Sequence, residues 1–332
     1  MLIKIPRGWE LPESAATPES LFLNRRELGK LLAAGPIVAA AASVPFGGAL
    51  VGKALAADPP DPSAKFYPAK KNDTYKVDRA ITEERTAASW NNFYEFLPQA
   101  GDVTDRAAKL VTRPWEVAFG GMVEKPFKVG IDELIAAMPL EERVYRHRCV
   151  ETWSMTVPWT GFPVKALVDY AKPLGSAKYV VMKTLMSRDM FPTQRSFFAG
   201  YPWPYTEGLT IAEATNDLAF MVTGVYGKPA AKQHGAPLRL AVPWKYGFKS
   251  VKSIVEVTFT EQRPTTFWED LQPREYGFWA NVNPAVDHPR WSQAEERPLG
   301  SNRRVPTLIY NGYGEYVASL YKDMGNARTL FM

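Results

Sequence analysis

Residues 142–155 have the sequence ERVYRHRCVETWSM, which includes the single cysteine of the 332-residue chain. We predict a β-strand over residues 142–150. Successive side chains of a strand point to opposite faces of its sheet. The pattern therefore predicts that Tyr145, His147 and Cys149 share one face of a strand, and that Arg146 and Arg148 lie on the other.

The neighbours of Cys149 give its thiol a potential chemical role. Arg146, His147 and Arg148 are cations or potential cations, and positive charge lowers a thiol pKa and favours the thiolate that attacks or binds metal. We expect Trp153, Trp159 and Phe162 to line a pocket near Cys149. A buried cysteine that packs as a small apolar side chain is the alternative. A thiol peroxidase or a cysteine hydrolase is a weaker one, because a hydrolase needs a histidine base with an orienting group.

The composition excludes several classes of protein. One cysteine cannot form an internal disulfide or a cysteine-rich zinc or iron–sulfur site. The three histidines lie far apart in sequence, which argues against a metal site built from histidines. The formal net charge of +5, from 40 basic and 35 acidic residues, is too small to indicate nucleic-acid binding. Neither a GxGxxG nor a Walker A motif occurs, which argues against the common nicotinamide, flavin and ATP folds.

The N-terminal segment has the features of an export signal. The sequence NRRELGK at residues 24–30 precedes an apolar run over residues 31–46, which is too short and too broken by proline for a membrane span. The small-x-small pattern Ala54-Leu55-Ala56 follows. The twin arginines resemble a twin-arginine export signal, and a Sec signal with a chance arginine pair is the alternative. We therefore predict a twin-arginine signal peptide at residues 1–56.

The remaining chain predicts an extended N-terminal arm at residues 57–89 and one catalytic domain at residues 90–332. Many short strands, few short helices and abundant turn residues indicate a β-rich α+β fold with mixed sheets. The predicted strands cover residues 115–119, 142–150, 178–184, 218–222, 238–242 and 253–259, and the predicted helices cover residues 130–138, 162–171 and 211–214.

Several motifs along the chain carry a resemblance to a known family. They are RHRCVETWSM at residues 146–155, NNFYEF at 91–96, PWTGFP at 158–163, GAPLR at 235–239, VPWKYGFK at 242–249, YGFWANVNP at 276–284 and HPRWSQ at 288–293. Together they resemble the sulfite oxidase superfamily of molybdopterin enzymes, and more closely its bacterial periplasmic branch, the MsrP-type catalytic subunits of protein-methionine-sulfoxide reductases.

The resemblance implies a cofactor and the residues that hold it. The cofactor would be one molybdopterin with a mononuclear molybdenum, and Cys149 would be the protein thiolate on the metal, since soft sulfur suits such a site. The residues implied to bind the cofactor are Asn91, Tyr94, Glu95, Thr184, His234, Arg239, Ser250, Val251 and Lys252. Charge-assisted donors such as Arg239 and Lys252 suit a buried pterin phosphate. Glu151 and Tyr246, together with Arg148, are implied candidates for positioning substrate or moving protons.

The implied activity is the reduction of methionine sulfoxide residues in oxidised periplasmic proteins, by removal of an oxygen atom at molybdenum. No haem-attachment motif occurs here, so electrons must arrive from another protein, and the resemblance implies a haem b membrane subunit that oxidises quinol. The short tail after residue 314 implies a monomer, or a heterodimer with the membrane subunit. We expect a shallow opening near Cys149, rimmed by Trp153, Trp159 and Tyr246.

Three other functions remain open at this point. One is oxidation of sulfite by the same cofactor, which would need arginines that converge on a small dianion. Another is a general reductase of S-oxides or N-oxides. A non-catalytic periplasmic binding protein is the third, and it would contain no molybdenum.

Overall fold

Two mixed β-sheets form the framework of the protein. The structure is a computed structural model, and it describes residues 61–195, 200–325 and 328–332. The predicted signal peptide, residues 1–56, lies outside these described residues.

Short elements dominate the part of the chain that the structure describes. Its strands are β1 (Glu116–Gly121), β2 (Phe127–Gly130), β3 (Glu141–Arg148), β4 (Trp153–Pro163), β5 (Tyr179–Thr184), β6 (Thr206–Thr210), β7 (Phe220–Val225), β8 (Lys228–Pro229), β9 (Arg239–Ala241), β10 (Ile254–Thr260), β11 (Glu295–Pro298) and β12 (Val305–Pro306). Its α-helices are α1 (Glu84–Ala88), α2 (Thr104–Ala107), α3 (Ile131–Ala137), α4 (Val164–Ala171), α5 (Ile211–Ala214), α6 (Phe267–Leu271) and α7 (Gly314–Val317). None of these helices is long and apolar enough to cross a membrane.

The first sheet has the strand order β2-β1-β10-β5-β6, and the second has the order β12-β11-β4-β7-β8, with β3 paired to β4 and β9 paired to β7. Strands β1 and β10 run parallel, as do β11 and β4, whereas the other neighbours are antiparallel. The predicted fold class, α+β with mixed sheets and short helices, is therefore confirmed.

Strand β4 is the element that the sequence pattern does not reveal. Its ten residues from Trp153 to Phe162 are all buried, so apolar and polar positions do not alternate along it. It is an inner strand of the second sheet, since β3 pairs with it on one side and β7 and β11 pair with it on the other. The helix predicted from residue 162 begins at Val164 instead, since Phe162 and Pro163 still belong to β4.

Gly161 allows β4 and β7 to come close together at an irregularity in their register. A Cβ atom at this position would lie 1.9 Å from the backbone oxygen of Met221 on β7. A residue with a side chain cannot occupy this position without a shift of one strand, because the obstructing atom is backbone.

The described part of the predicted arm lies along the second sheet. The backbone N–H of Asn72 donates to the carbonyl of Glu142 at 2.7 Å, and that of Thr82 donates to the carbonyl of Thr156 at 2.9 Å. Tyr75 is buried and packs edge-on against Tyr145 on β3, with 5.7 Å between the ring centroids. These contacts attach residues 72–82 to β3 and β4.

Candidate active site

Cys149 lies in the tight connection between β3 and β4. Its N–H donates to the carbonyl of Trp153 at 2.9 Å, and its own carbonyl accepts from the N–H of Thr152 at 3.0 Å. Thr152 has a φ of 73°, in the left-handed region that non-glycine residues adopt mainly in tight turns. The pairing of the two strands therefore fixes where the sulfur atom lies.

The sulfur faces a cleft of about 710 Å³. Cys149 is only 3% exposed, so its sulfur is recessed and the expected shallow opening is wrong. The cleft is lined by Asn91, Asn92, Tyr94, Glu95, His147, Cys149, Val150, Glu151, Trp153, Met155, Tyr205, Arg239, Gly247, Phe248, Val251, Lys252, Trp268 and Tyr276. Trp153 is present as expected, whereas Trp159 and Tyr246 are not among the lining residues.

The two arginines beside Cys149 point away from the cleft, as the strand pattern predicts. The Arg148 guanidinium is wholly buried, where it donates to the Glu296 carboxylate at 3.1 Å and to the Gln293 side-chain oxygen at 2.8 Å. Arg146 forms an ion pair with Asp78 and donates to the carbonyl of Asn311 at 3.0 Å. Both side chains are occupied in structural contacts.

The expectation of a lowered thiol pKa is wrong for the protein alone. Burial raises the pKa of the Cys149 thiol above its ordinary value, and the nearby Glu151 carboxylate raises it further. Burial also lowers the pKa of His147 far enough to keep its imidazole neutral, so this residue adds no positive charge. Arg148 lowers the thiol pKa to a smaller extent, because its guanidinium lies on the other face of β3.

Two N–H donors nevertheless surround the sulfur. The side-chain nitrogen of Asn92 lies 3.3 Å from Sγ, and the backbone N–H of Glu151 lies 3.5 Å from it. Hydrogen bonds to sulfur stabilise its anionic form, which is the form that binds metal. Among the described residues, no three His, Cys, Asp or Glu side chains group to hold a metal ion, so a metal on Cys149 would need further ligands from a cofactor.

A group of buried and half-buried basic side chains lies on the β9 side of the cleft. Burial lowers the pKa of Arg239 to about 10, that of Lys252 to about 7 and that of His234 to about 3. Arg239 donates to the carbonyls of His234 at 2.9 Å and Leu240 at 3.2 Å, and it has no carboxylate partner among the described residues. Arg239 is therefore a buried cation that requires compensating charge, and an anion such as a phosphate would supply it and would favour the charged form of Lys252.

The remaining residues predicted to bind the cofactor fall into two sets. Asn91, Tyr94, Glu95 and Val251 line the cleft beside Arg239 and Lys252. Thr184, His234 and Ser250 are buried behind that lining. The Thr184 hydroxyl donates to the Lys252 carbonyl at 2.8 Å, and the Ser250 carbonyl lies 3.5 Å from the Arg239 guanidinium. The second set therefore supports the basic side chains from behind.

Glu95 adds a carboxyl group to the same region. It is 3% exposed, and burial raises its pKa to about 7, partly offset by the charge of Lys252. Lys252 is held in turn by the carbonyl of Asn92 at 2.8 Å. Asn92 therefore contacts Cys149 through its side chain and Lys252 through its backbone.

Tyr246 requires a correction, because it does not line the cleft. Its ring is 2% exposed and lies under the Arg148 guanidinium, 5.7 Å from the ring centroid. It borders a separate small cavity behind Val150, together with His288. Arg148 itself is also absent from the cleft, so neither side chain is positioned to contact a substrate at Cys149.

Sequence reasoning missed several residues of the cleft. Asn92 appeared only as the neighbour of Asn91, although it is the side chain that touches the sulfur. Phe248 and Tyr276 belong to the motifs VPWKYGFK and YGFWANVNP, and their presence in those motifs was the available signal. Tyr205 and Trp268 lie outside the quoted motifs, and only the tertiary fold brings them to the cleft.

A second cavity of about 1070 Å³ extends the cleft outward, and we call it the outer groove. Four residues line both spaces: Tyr94, Glu151, Trp268 and Tyr276. The other residues of the outer groove are Pro98, Gln99, Tyr201, Leu271, Gln272, Arg290 and Trp291. The recessed sulfur is thus reached through an entrance lined mainly by aromatic side chains.

The residues present fit an anionic cofactor that carries a soft metal. The cleft offers a cysteine sulfur with N–H donors around it. It also offers Arg239 and Lys252, and the buried Nδ1 of His234 has no hydrogen-bond partner among the described residues. An unpaired buried polar atom is costly, and a bound polar group would pair it.

Comparisons with known proteins agree with this chemistry. A family model described as "Oxidoreductase molybdopterin binding domain" matches residues 103–268. The catalytic subunit MsrP of a protein-methionine-sulfoxide reductase from Xanthomonas axonopodis pv. citri is 46% identical over 320 residues, which is 95% of this chain and 96% of that protein. The subunit of the same name from Pseudomonas syringae pv. tomato is 46% identical over 336 residues, 98% of each chain.

A solved structure is also similar to part of the chain. The sulfane dehydrogenase SoxCD from Paracoccus pantotrophus aligns with a TM-score of 0.44 and 14% identity, over 70% of this chain and 60% of that one. The family assignment depends on the sequence matches, which extend over nearly the whole chain. The protein therefore belongs to the family of MsrP-type catalytic subunits of protein-methionine-sulfoxide reductases and contains a molybdopterin-binding oxidoreductase domain.

Proposed function

We propose that this protein reduces methionine sulfoxide residues in proteins and thereby repairs oxidised periplasmic proteins. The cofactor would be one molybdopterin with a mononuclear molybdenum, which supplies two-electron oxygen-atom transfer when bound. The observation that carries the proposal is that Cys149 and the basic pair Arg239 and Lys252 line one cleft. The curated relatives with this name are 46% identical to the chain.

Two groups of cleft residues have separate tasks in this proposal. Cys149 would bind the metal through its sulfur, with Asn92 and the Glu151 N–H stabilising negative charge there. Arg239 and Lys252 would hold the pterin phosphate, because charge-assisted hydrogen bonds are the stronger kind. The other side chains that would bind or support the pterin are Asn91, Tyr94, Glu95, Thr184, His234, Ser250 and Val251.

Glu151 is the residue that we propose for proton handling. Its carboxylate accepts a hydrogen bond from the Trp153 indole N–H at 3.2 Å, and its backbone N–H lies next to the Cys149 sulfur. It also lines both the cleft and the outer groove. A carboxyl group at this boundary can take a proton from solvent and hold it beside the reacting sulfoxide.

Sulfite oxidation by the same cofactor is the nearest alternative, and the geometry disfavours it. A small dianion needs several arginines that converge beside the metal ligand. Arg146 and Arg148 lie on the other face of β3 and are paired with Asp78 and Glu296. Arg239 does reach the cleft, but it is the residue proposed for the pterin phosphate. Sulfite turnover without sulfoxide reduction would overturn the proposal. Reduction of diverse small S-oxides and N-oxides, without reduction of methionine sulfoxide in proteins, would indicate a general reductase.

The proposed setting is a bacterial periplasm, reached by twin-arginine export of the folded, loaded protein. Electrons would come from a haem b membrane subunit that oxidises quinol, and the catalytic subunit would act as a monomer or bound to that subunit. Support comes from the sequence at residues 24–30 and from the similarity to proteins that are named catalytic subunits.

The decisive experiment compares wild type with Cys149→Ser. Serine keeps the shape of cysteine and replaces soft sulfur with a hard, protonated oxygen. We expect methionine sulfoxide reduction to fall by more than about 100-fold, a loss larger than outer-shell substitutions at metal sites usually cause. Molybdenum content and turnover of an oxidised protein, with a chemical electron donor, would be measured on the same samples.

Met186→Leu provides the matched control, because Met186 is exposed and does not line the cleft. It should retain both metal and activity. Unchanged activity of Cys149→Ser would contradict the role of Cys149. Wild-type protein that is purified with no molybdenum and no activity would instead favour the non-catalytic binding protein.

A further inference from the structure

We propose that Gln293 is a positioning residue for Cys149. It orients the peptide group between Val150 and Glu151 so that the N–H of this group donates to the Cys149 sulfur. Gln293 does not line the cleft, so it acts on the site only through its neighbours. The inference rests on the proposed role of Cys149 as the metal ligand, and it adds the contacts that adjust how strongly the sulfur donates to the metal.

The peptide group that Gln293 holds is the centre of a tight turn. The N–H of Thr152 donates to the carbonyl of Cys149 at 3.0 Å and closes the turn. Val150 and Glu151 are the two central residues, and the peptide bond between them is trans. Turn types I and II differ in the orientation of this central peptide group, so the closing hydrogen bond alone does not fix it.

Two side chains hold the carbonyl end of this peptide group. The Trp291 indole N–H donates to the Val150 carbonyl at 2.8 Å, and the Gln293 side-chain amide donates to it at 2.9 Å. In a trans peptide group the C=O and the N–H point in opposite directions within one plane. A carbonyl held toward Trp291 and Gln293 therefore directs the Glu151 N–H to the opposite side, where the Cys149 sulfur lies 3.5 Å from the nitrogen.

Arg148 fixes which end of the Gln293 amide faces that carbonyl. Its guanidinium donates to the Gln293 side-chain oxygen at 2.8 Å and to the Glu296 carboxylate at 3.1 Å. A guanidinium has donors only, so the amide oxygen faces Arg148 and the NH₂ group faces Val150. Gln293 is 1% exposed, which shields both hydrogen bonds from water. It thus bridges the residue before Cys149 and the residue after it.

The N–H contact bears on the chemistry of the bound metal. Hydrogen bonds to a sulfur stabilise its negative charge and so weaken its donation to a metal. The reduction potentials of sulfur-ligated metal centres depend on such hydrogen bonds. Loss of the Glu151 N–H contact should therefore favour the oxidised metal and lower the reduction potential.

The test compares the molybdenum-loaded wild type with Gln293→Met. Methionine is unbranched and of similar length, but it has no N–H to donate to Val150 and no carbonyl to accept from Arg148. We expect the equilibrium constant for one-electron reduction to fall about tenfold, the effect of losing one hydrogen bond to a charged group, which is a shift of about 59 mV to lower potential. Redox titration with EPR detection measures it, and molybdenum content is determined on the same samples.

Gln194→Met is the matched control. Gln194 is also buried, and its side chain accepts from the Ser187 N–H at 2.7 Å and donates to the Leu185 carbonyl at 3.1 Å. The substitution removes the same two kinds of hydrogen bond without touching the Cys149 turn, so the potential should equal that of the wild type. An equal shift in both variants, or a wild-type potential in Gln293→Met, would overturn the inference.

Trp291→Phe provides an independent variant, which also serves if Gln293→Met does not fold. It removes the other donor to the Val150 carbonyl and keeps an aromatic ring at a half-buried position. We expect a shift of the potential in the same direction, and no shift or a shift to higher potential would contradict the inference.

The Cys149→Ser variant separates this inference from the proposed function. Full molybdenum content and an unchanged potential in Cys149→Ser would overturn the proposed role of Cys149 itself. Loss of the metal in Cys149→Ser, combined with wild-type potentials in Gln293→Met and Trp291→Phe, would overturn only the positioning role of Gln293.

Discussion

His234 shows how one buried side chain couples the site to pH. Burial, with the charges of Arg239 and Lys252, lowers its pKa from 6.5 to about 3. The folded protein therefore keeps this imidazole neutral at pH 5, whereas the unfolded chain takes up a proton below about pH 6.5. Because the unfolded state binds more protons in that window, stability is lost as the pH falls.

Replacement of His234 by Asn should remove this dependence. At pH 5 the pKa difference contributes about 2 kcal/mol of destabilisation relative to pH 7. We expect the loss in free energy of unfolding between pH 7 and pH 5, measured by urea denaturation of cofactor-free protein, to be smaller by about that amount in His234→Asn. Gln233→Ala should behave like wild type, and an equal pH dependence in His234→Asn would contradict the assignment.

Sequence alone could locate Cys149 and assign the faces of its strand, because alternation is a local property. The family resemblance also pointed to Asn91, Glu95 and Lys252, and the structure places all three in the cleft that Cys149 faces. The pKa of the Cys149 thiol could not be predicted, since it depends on burial by residues distant in sequence. The position of Tyr246 also depends on how segments pack, so a motif could not place it.

At the scale of secondary structure, the clearest prediction concerns the effect of a substitution at Gly161 on stability. A Cβ atom there would collide with the backbone of Met221, 1.9 Å away. We expect Gly161→Ala to lower the free energy of unfolding by about 3 kcal/mol or more, the range typical of severe overpacking, measured by urea denaturation.

Gly120→Ala is its control within the other sheet. Gly120 lies in β1, and a Cβ atom there would have nothing within 4 Å. This variant should change stability by less than about 1 kcal/mol. Similar losses in the two variants would show that the close approach of β4 and β7 does not constrain residue 161.

Strands could be predicted from the sequence where one face of the strand is partly exposed to solvent. Strand β10, with half-buried residues between its buried ones, was found from its alternation. Strand β4 was not, because continuous burial over Trp153–Phe162 removes the signal and Pro158 and Pro163 argue against a strand. The most central strand of the second sheet therefore cannot be detected from an alternation of apolar and polar residues.

At the scale of the whole molecule, long-range polar contacts bring the C-terminal residues onto the body. Tyr321 donates to the Glu213 carboxylate at 2.6 Å and accepts from the Trp244 indole N–H at 2.8 Å, while Lys245 pairs with the same carboxylate at 2.5 Å. These residues are buried together. No pattern along the chain predicts this cluster, since its members are separated by up to 108 positions.

The remaining prediction at the scale of the whole protein concerns its export. Arg25→Lys combined with Arg26→Lys keeps the positive charge that a Sec signal requires but removes the arginine pair. We expect the uncleaved precursor to accumulate in the cytoplasm, as measured by cell fractionation and immunoblotting. Lys4→Arg plus Arg7→Lys alters the same charged region outside the pair and should be exported normally, and normal export of the Arg25/Arg26 variant would refute the twin-arginine assignment.

The buried positive charge of Arg239, with Lys252 beside it in the cleft, has a consequence for the life of the protein in the cell. A ligand that binds only the folded state stabilises it, by about 2.7 kcal/mol when its concentration is 100 times its Kd. An anionic cofactor at this position would therefore act as part of the protein's own scaffold. Molybdenum supply would then set the lifetime of the chain as well as its activity, because an unloaded chain unfolds more often and is more exposed to proteolysis.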